Sequence, residues 1–286
     1  MSAPPAVPTD GRGSRRSGPR TWCRSDAAMP EPTQVAVVTG GARGIGAAVT
    51  RRVVAAGGCV VLGDLAADEG ELLARELGPA VRFVSADATS ERDTVALFEA
   101  ASAFGPVDAV YANAGAVGVT GRVEDTELSD ARATMDLLFT SVFLAFKHGV
   151  ARMRPQGRGA LVATASVASV RGGLGPHLYT AAKHAVKGLV ESLAVEVAPY
   201  GLTVNAVAPG GTVSSLSAGL VGSGPGDVER AYEQLASRSS SGVPTTSEDV
   251  AEAAYFLSGA RRINGATLVV DGGDAVPGSA GRSYYG

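Results

Sequence analysis

Tyr179 and Lys183 stand four residues apart in the run Tyr179-Thr180-Ala181-Ala182-Lys183, and Ser166 precedes the tyrosine by thirteen residues. Positions i and i+4 of a helix share a face, so the phenol and the ammonium point into the same space. A free tyrosine has a pKa of roughly 10, which leaves about one in a thousand as phenolate at neutral pH. Lowering it by about three units needs about 4 kcal/mol. One cation about 4 Å away supplies roughly that much at an effective dielectric near 20. The spacing therefore predicts that Lys183 makes Tyr179 a usable general acid/base. Ser166 closes the apolar run Ala160 to Ala165, so its hydroxyl emerges at a strand end, where it can hold a substrate oxygen beside the phenol. Read alone, a tyrosine four residues before a lysine is most often two solvated side chains. The pair gains meaning only from a cofactor site upstream.

Such a site is present in Thr39-Gly40-Gly41-Ala42-Arg43-Gly44-Ile45-Gly46, between the first β-branched run and the first helical period. Glycines there let the backbone turn tightly and let a pyrophosphate approach the helix N-terminus, whose free N–H groups and dipole favour anions. A tight turn with no ligand would use the same residues. Asp64 ends the second strand run, eighteen residues after Gly46, where a carboxylate can accept from both adenosine ribose hydroxyls; an isolated aspartate there is also a helix cap. The same carboxylate repels the 2′-phosphate of NADP, whereas the Arg43 guanidinium would attract it. NAD is favoured over NADP, because Asp64 faces that phosphate directly and Arg43 can turn to solvent. Asp87 follows the third strand run and can accept from the adenine amino group. Asn113-Ala114-Gly115 follows the fourth and closes over the adenosine. Each is equally a turn residue, but together they fall at successive strand ends on the carboxyl edge, where doubly wound sheets bind ligands. Leu65 beside Asp64 and Ala88 beside Asp87 share these turns and join the predicted nucleotide contacts.

The elements that must carry these groups alternate from Gln34 onward. Strands are predicted at Val35–Val38, Cys59–Leu62, Val81–Val84, Val107–Tyr111, Ala160–Ala165, Leu202–Asn205 and Thr267–Val270. Helices are predicted through Val49 and Val53, over Glu69–Leu77, Thr94–Ala103, Ser129–Met153, from Tyr179 to Ala198, and over Glu248–Leu257. Strands this uniformly apolar are covered on both faces. The expected fold is thus α/β: a single Rossmann-like, doubly wound domain with a parallel seven-stranded sheet and helices on both faces. Ser214–Gly226 is the long Gly/Ser-rich insertion, placed where a lid would sit.

The 286 residues are 45% hydrophobic and 19% charged, with mean hydropathy +0.14, which suits one buried domain over residues 34–274. The net charge of −3 gives no electrostatic case for nucleic acid or a membrane surface, and the best apolar stretch, Leu137 to Phe146, is interrupted by Thr140 and Ser141 and far short of a spanning helix. Residues 1–33 are rich in Pro, Gly, Ser and Arg and poor in aliphatic side chains, so a disordered extension is expected. Arg15-Arg16 lacks a following apolar stretch, and Met29 stands just before the first strand as an alternative start. Residues 275–286 read as a C-terminal tail. Cys23 and Cys59 are the two cysteines; as reduced thiols they suit the cytoplasm. His148, His177 and His184 have no partners at metal-ligand spacing, so no metal is expected.

In these motifs the chain resembles the NAD(P)-dependent short-chain dehydrogenase/reductase family. The likeness covers about residues 34–274 and rests on Thr39-Gly40…Gly44-Ile45-Gly46, Asn113-Ala114-Gly115, Ser166, Tyr179…Lys183, Asn205-Ala206-Val207-Ala208-Pro209-Gly210 and Val270-Asp271-Gly272-Gly273. It implies hydride transfer between nicotinamide C4 and a secondary alcohol or carbonyl. Tyr179 would be the proton donor/acceptor, Lys183 its partner and a ribose ligand, and Ser166 the anchor of the substrate oxygen. Pro209, Gly210 and Thr212 would hold the carboxamide. A homotetramer or homodimer is the assembly implied. The wording around the catalytic helix is similar to the cis-dihydrodiol dehydrogenases, which points to a cyclic alcohol or cis-dihydrodiol as small-molecule substrate, with Val167, Gly173, His177 and the Ser214–Gly226 stretch as pocket candidates. One departure stands out. Leu138 occupies the place of the family's asparagine, which helps hold a proton-relaying water. Either backbone carbonyls hold that water, or the protein is an NAD-binding regulator with little turnover.

Overall fold

The computed structural model describes residues 33–213, 228–237 and 239–275. The expected N-terminal extension (but for Thr33), the Ser214–Gly226 stretch and the C-terminal tail beyond Ala275 lie outside the described residues.

Seven strands form one parallel sheet: β1 (Val35–Thr39), β2 (Cys59–Asp64), β3 (Val81–Ser85), β4 (Ala109–Ala112), β5 (Gly159–Thr164), β6 (Leu202–Pro209) and β9 (Thr267–Val270). Their order across the sheet is β3-β2-β1-β4-β5-β6-β9. Between β1 and β4 the direction of winding reverses, and this crevice is where a doubly wound sheet takes its ligand. Two short strands, β7 (Thr212–Val213) and β8 (Thr245–Thr246), pair separately.

Alternate residues of each strand point to opposite faces, and both faces are apolar. Val37, Val61, Val110, Leu161 and Val204 meet α3 (Glu91–Ala101), α5 (Ser141–Met153) and α6 (His177–Val197) through Leu97, Phe146 and Val190. Val38, Leu62, Tyr111, Val162 and Val207 meet α1 (Gly44–Ala55), α2 (Ala67–Leu77) and α8 (Ser247–Gly259) through Val53, Leu73 and Leu257. Each fully buried Val or Leu contributes about 1.5–3 kcal/mol of apolar burial, and this double layer fixes the strand ends that carry the polar groups.

Several elements depart from their expected bounds, and β6 runs on to Pro209 rather than ending at Asn205. The third helix starts at Glu91 rather than Thr94, because Ser90 caps it by accepting from the Asp93 N–H at 3.3 Å. Strand β4 starts at Ala109, after Val107 and Asp108. A helix over Val228–Ala236, α7, was not anticipated by the spacing of apolar residues. Finally, the single helix expected over Ser129–Met153 is α4 (Leu128–Met135), a π turn over Asp136–Thr140, and α5. A side chain meets the altered ladder there: the Ser141 hydroxyl donates to Leu137 O at 2.5 Å. Such insertions commonly fall at functional sites, and this one contains Leu138.

Candidate functional site

The nucleotide loop is held closed by β4. Thr39 at the end of β1 accepts from the N–H groups of Asn113 and Ala114 at 3.1 and 3.2 Å. Asn113 Nδ2 donates to Gly40 O at 3.0 Å. Gly40 has φ +62°, the left-handed region. A Cβ on Gly46 would lie 1.9 Å from Gly40 O and 2.7 Å from Asn113 Nδ2, so only a glycine brings α1 this close to the loop. The first turn of α1 holds no acidic side chain, and Arg43 at its N-cap makes no side-chain cap. The terminal N–H groups of Gly44, Ile45 and Gly46 are therefore left for an anion. This cradle fits the pyrophosphate of a dinucleotide.

Asp64 is more occupied than the sequence suggests. One carboxylate oxygen accepts from Ala42 N and the other from Ala66 N, both at 3.0 Å. It clamps the glycine loop to the turn after β2, and each oxygen keeps lone-pair capacity for a ribose hydroxyl. Arg43 does not simply turn to solvent. Its guanidinium lies 3.5 Å from Glu69 Oε1, with about half of each side chain exposed. Leu65 is well exposed beside Asp64. Asp87 uses Oδ1 to accept from the Thr89 N–H and hydroxyl, and its Oδ2 accepts from no described residue. Ala88, in the same turn, is half-buried. On the far side, Gly210 N donates to Val270 O at 3.0 Å and the Thr212 hydroxyl to Gly210 O at 3.2 Å, just past Pro209 at the end of β6. Leu235 of α7 packs against this loop so closely that a Cβ on Gly211 would meet it at 2.8 Å.

The catalytic candidates converge next to that cradle. Ser166 is buried and accepts from Ala168 N at 3.1 Å, at the start of a 3-10 turn over Val167–Ser169. Gly175, in the loop that also holds Gly173, lies against the Tyr179 ring. Burial raises the Tyr179 pKa, and a hydrogen bond with the Ser166 side chain draws it back in part. The predicted depression of the phenol by Lys183 is thus not what the structure shows. The ammonium lies 5.7 Å from the ring centroid and donates to Thr164 O at 2.7 Å; it is held toward β5 rather than against the phenol. Burial also brings Lys183 down to about 8.

That shift predicts a pH signature in the nucleotide-free protein. Lys183 titrates near 8 when folded and near 10.5 when unfolded. Across that window the unfolded chain holds a proton that the native state has lost, so stability rises with pH by about 3 kcal/mol from this group, while below it the penalty is constant. Above about pH 10 the raised phenols of Tyr179 and Tyr111 work the other way, because the native state then keeps protons that the unfolded chain sheds. Urea unfolding of Lys183→Met, measured from pH 7 to 10, is expected to show no such rise. A slope equal to that of the unsubstituted protein would place the titration elsewhere.

Two residues outside the predicted catalytic and cofactor contacts join the two halves of the site. Thr164 accepts from Lys183 with its carbonyl and donates with its hydroxyl to Asn113 Oδ1 at 2.9 Å. Thr39 organises the loop as described. Both are polar residues ending apolar strands, the signal that did identify Asp64. Leu138 is fully buried, and its Cδ2 lies 3.3 Å from where a Cβ on Gly115 would sit, a point 3.9 Å from Lys183 Nζ. Beside the ammonium it offers methyl groups and no polar atom. His177 starts α6 and faces Thr126, Nε2 to Oγ1 3.5 Å. Asn205, buried in β6, is structural: it donates to Ile263 O and accepts from Ala266 N. Among the described residues no cluster of His, Cys, Asp and Glu could hold a metal, and no helix is long and apolar enough to cross a membrane.

Comparisons with known proteins bear on the family and the fold. Residues 40–274 match the family model described as enoyl-(acyl carrier protein) reductase. The chain is 38% identical over 245 residues to a cis-4-hydroxycyclohexanecarboxylate dehydrogenase of Sinomonas cyclohexanicum, covering 84% of this chain and 96% of that one. It is 40% identical over 178 residues to a 3-alpha-(or 20-beta)-hydroxysteroid dehydrogenase of Mycobacterium tuberculosis (strain ATCC 25618 / H37Rv), covering 62% and 68%. A crystal structure of 3-ketoacyl-(acyl-carrier-protein) reductase from Brucella melitensis complexed with NADH superposes with a TM-score of 0.78 at 28% identity, covering 86% of this chain and all of the other.

Proposed function

Because the chain belongs to the short-chain dehydrogenase/reductase family of oxidoreductases, which act on alcohols and ketones, we propose that it interconverts a cyclic secondary alcohol and its ketone with NAD(H). The observation that carries this reading is the convergence of Ser166, Tyr179 and Lys183 on a nucleotide cradle through Thr164 and Asn113. The cyclic substrate rests on the relatives, one named for a hydroxycyclohexanecarboxylate and one for hydroxysteroids; cis-dihydrodiols belong to the same chemical class.

The cradle of Gly40, Gly44 and Gly46 would hold the pyrophosphate, Asp64 the adenosine ribose, Asp87 and Asn113-Ala114-Gly115 the adenine side, and Pro209, Gly210 and Thr212 the carboxamide. A nicotinamide held there supplies or accepts the hydride. Ser166 holds the substrate oxygen, and the Tyr179 hydroxyl gives that oxygen a proton in reduction and takes one in oxidation. The raised phenol pKa of the nucleotide-free protein suits the donor role. Lys183, buried and cationic near neutral pH, would hold the nicotinamide ribose, the other role that the family resemblance implies for it. The test is spectrophotometric: NADH formation with a panel of cyclohexanols, hydroxysteroids and cis-dihydrodiols. Turnover with open-chain alcohols alone would overturn the ring specificity.

Leu138 favours a second reading, a nucleotide-binding regulator, since no side chain there relays protons to Lys183. NADH binding without turnover across the whole panel, in both directions, would select it.

Cofactor choice follows from Asp64. NADH is expected to bind more tightly than NADPH, because the carboxylate repels the extra phosphate and Arg43 is engaged by Glu69. That exposed pair is worth only about 0–1 kcal/mol, so Asp64 dominates. Asp64→Asn keeps one acceptor and removes the charge; it should narrow the NADH/NADPH gap by about tenfold, about 1.4 kcal/mol, in calorimetric titrations. Tighter binding of NADPH to the unsubstituted protein would mean that Arg43 wins. An assembly of copies is proposed on the exposed apolar residues Phe143 of α5, Val195 of α6, and Leu268 and Val269 of β9, with the cytoplasm as the compartment.

A further inference from the structure

Asn264 is the chain's one asparagine followed by a glycine, and several bonds hold that pair unreactive. In an Asn-Gly pair the glycine nitrogen can attack the side-chain amide carbon before it, because no Cβ shields the peptide. The pair lies in the turn that leads into β9, the edge strand of the sheet. Gly265 has φ +80°, in the left-handed region, so glycine is the residue this turn favours and the reactive sequence comes with the fold.

Each reacting group is held in place. Asn264 Oδ1 accepts from Val204 N at 2.8 Å, and Asn264 Nδ2 donates to Ala194 O of α6 at 2.9 Å. The attacking atom is held too: Gly265 N donates to Val204 O at 2.8 Å. Val204 of β6 thus grips the amide oxygen with its N–H and the nucleophile with its carbonyl. Asn264 itself is exposed, so water reaches it, and the bonds rather than burial protect it. They last only while the chain leading into β9 lies on β6. Among the described residues β9 has no strand on its outer side, and Leu268 and Val269 are exposed. Edges of that kind open at less cost than the core.

We propose that Asn264 is a modification site gated by this edge. When residues 264–270 part from β6, the Gly265 nitrogen bonds to Asn264 Cγ, the Cγ–Nδ2 bond breaks, and ammonia leaves with the peptide proton. Water then opens the cyclic imide to aspartate or isoaspartate. Neither product lets the edge close as before. Aspartate presents an oxygen instead of an N–H to Ala194 O. Isoaspartate adds a methylene to the main chain, which shifts β9 against the bond from Ala206 N to Ala266 O. The chemistry does not depend on the reaction assigned above.

Peptide mapping of the full-length protein, incubated at mildly alkaline pH, tests it. Conversion at Asn264 should be at least about a hundredfold slower in the native protein than in concentrated urea. Below the unfolding transition its rate should rise with urea less steeply than the population of unfolded chains, since opening one edge exposes little surface. Asn264→Gln, whose longer side chain closes a larger ring, should suppress conversion at this position in urea. Protein converted in urea and then refolded should melt at a lower temperature than fresh protein carried through the same cycle. Three results would overturn the proposal: equal conversion rates in native protein and in urea, a native rate that tracks global unfolding, or equal melting temperatures for converted and fresh protein.

Discussion

Tyr179→Phe should lower turnover by about a thousandfold or more, roughly 4 kcal/mol of transition-state stabilisation, while NADH binds with near-normal affinity. The variant removes one oxygen from a ring whose position is set by Gly175 and by the helix beneath it, so the fold has no reason to change. The Ser166 hydroxyl loses its phenol neighbour but keeps the Ala168 N–H. Single-turnover rates and NADH titrations on the same preparation separate the two effects. Turnover within about tenfold of the unsubstituted protein would remove Tyr179 from the proton path, since no other titratable side chain of the described site is placed to replace it.

Gly46→Ala is expected to be the most damaging single-atom addition in the nucleotide cradle. Its Cβ would sit 1.9 Å from Gly40 O and 2.7 Å from Asn113 Nδ2. Backbone cannot yield as a flexible side chain does, so α1 must move away from the loop or the Asn113 bond must break. Overpacking of this kind costs about 1–3 kcal/mol, occasionally more. Because the displaced atoms line the cradle proposed for the nucleotide, affinity for NADH should fall by about two orders of magnitude or more. Thermal denaturation and NADH titration read the two losses separately. An unchanged affinity would mean that the loop at Gly40 does not touch the nucleotide.

The strand ends were legible in the sequence because the chemistry and the periodicity agreed there. Apolar runs ended by Asp64, Asn113 and Ser166 located the sheet and the edge on which the candidate residues gather. The π turn at Leu138 was not legible, because Leu137 to Phe146 has ordinary helical spacing, and the Ser141 hydroxyl that meets Leu137 O is not read from spacing. Helix α7 was missed for the opposite reason: its surroundings are rich in Gly and Ser, and its contact with Gly211 is tertiary. The Lys183 geometry was misjudged because i+4 spacing sets a shared face but not the acceptor that wins the ammonium. Thr164 O, nineteen residues away, does.

The bond from Asn113 N to Thr39 Oγ1 spans 74 residues, and that from the Thr164 hydroxyl to Asn113 spans 51. The first cannot form until β4 has docked beside β1, nor the second until β5 has docked beside β4. Parallel pairings of such separation are intrinsically slow to form, because loop closure must precede any reward from contact. The cradle is therefore a late product of folding: a nascent chain that has made β1 and its glycine loop but not yet β4 owns the sequence of a nucleotide site without the site. A dinucleotide then discriminates finished molecules from unfinished ones, and by binding only the former it draws the folding equilibrium toward completion.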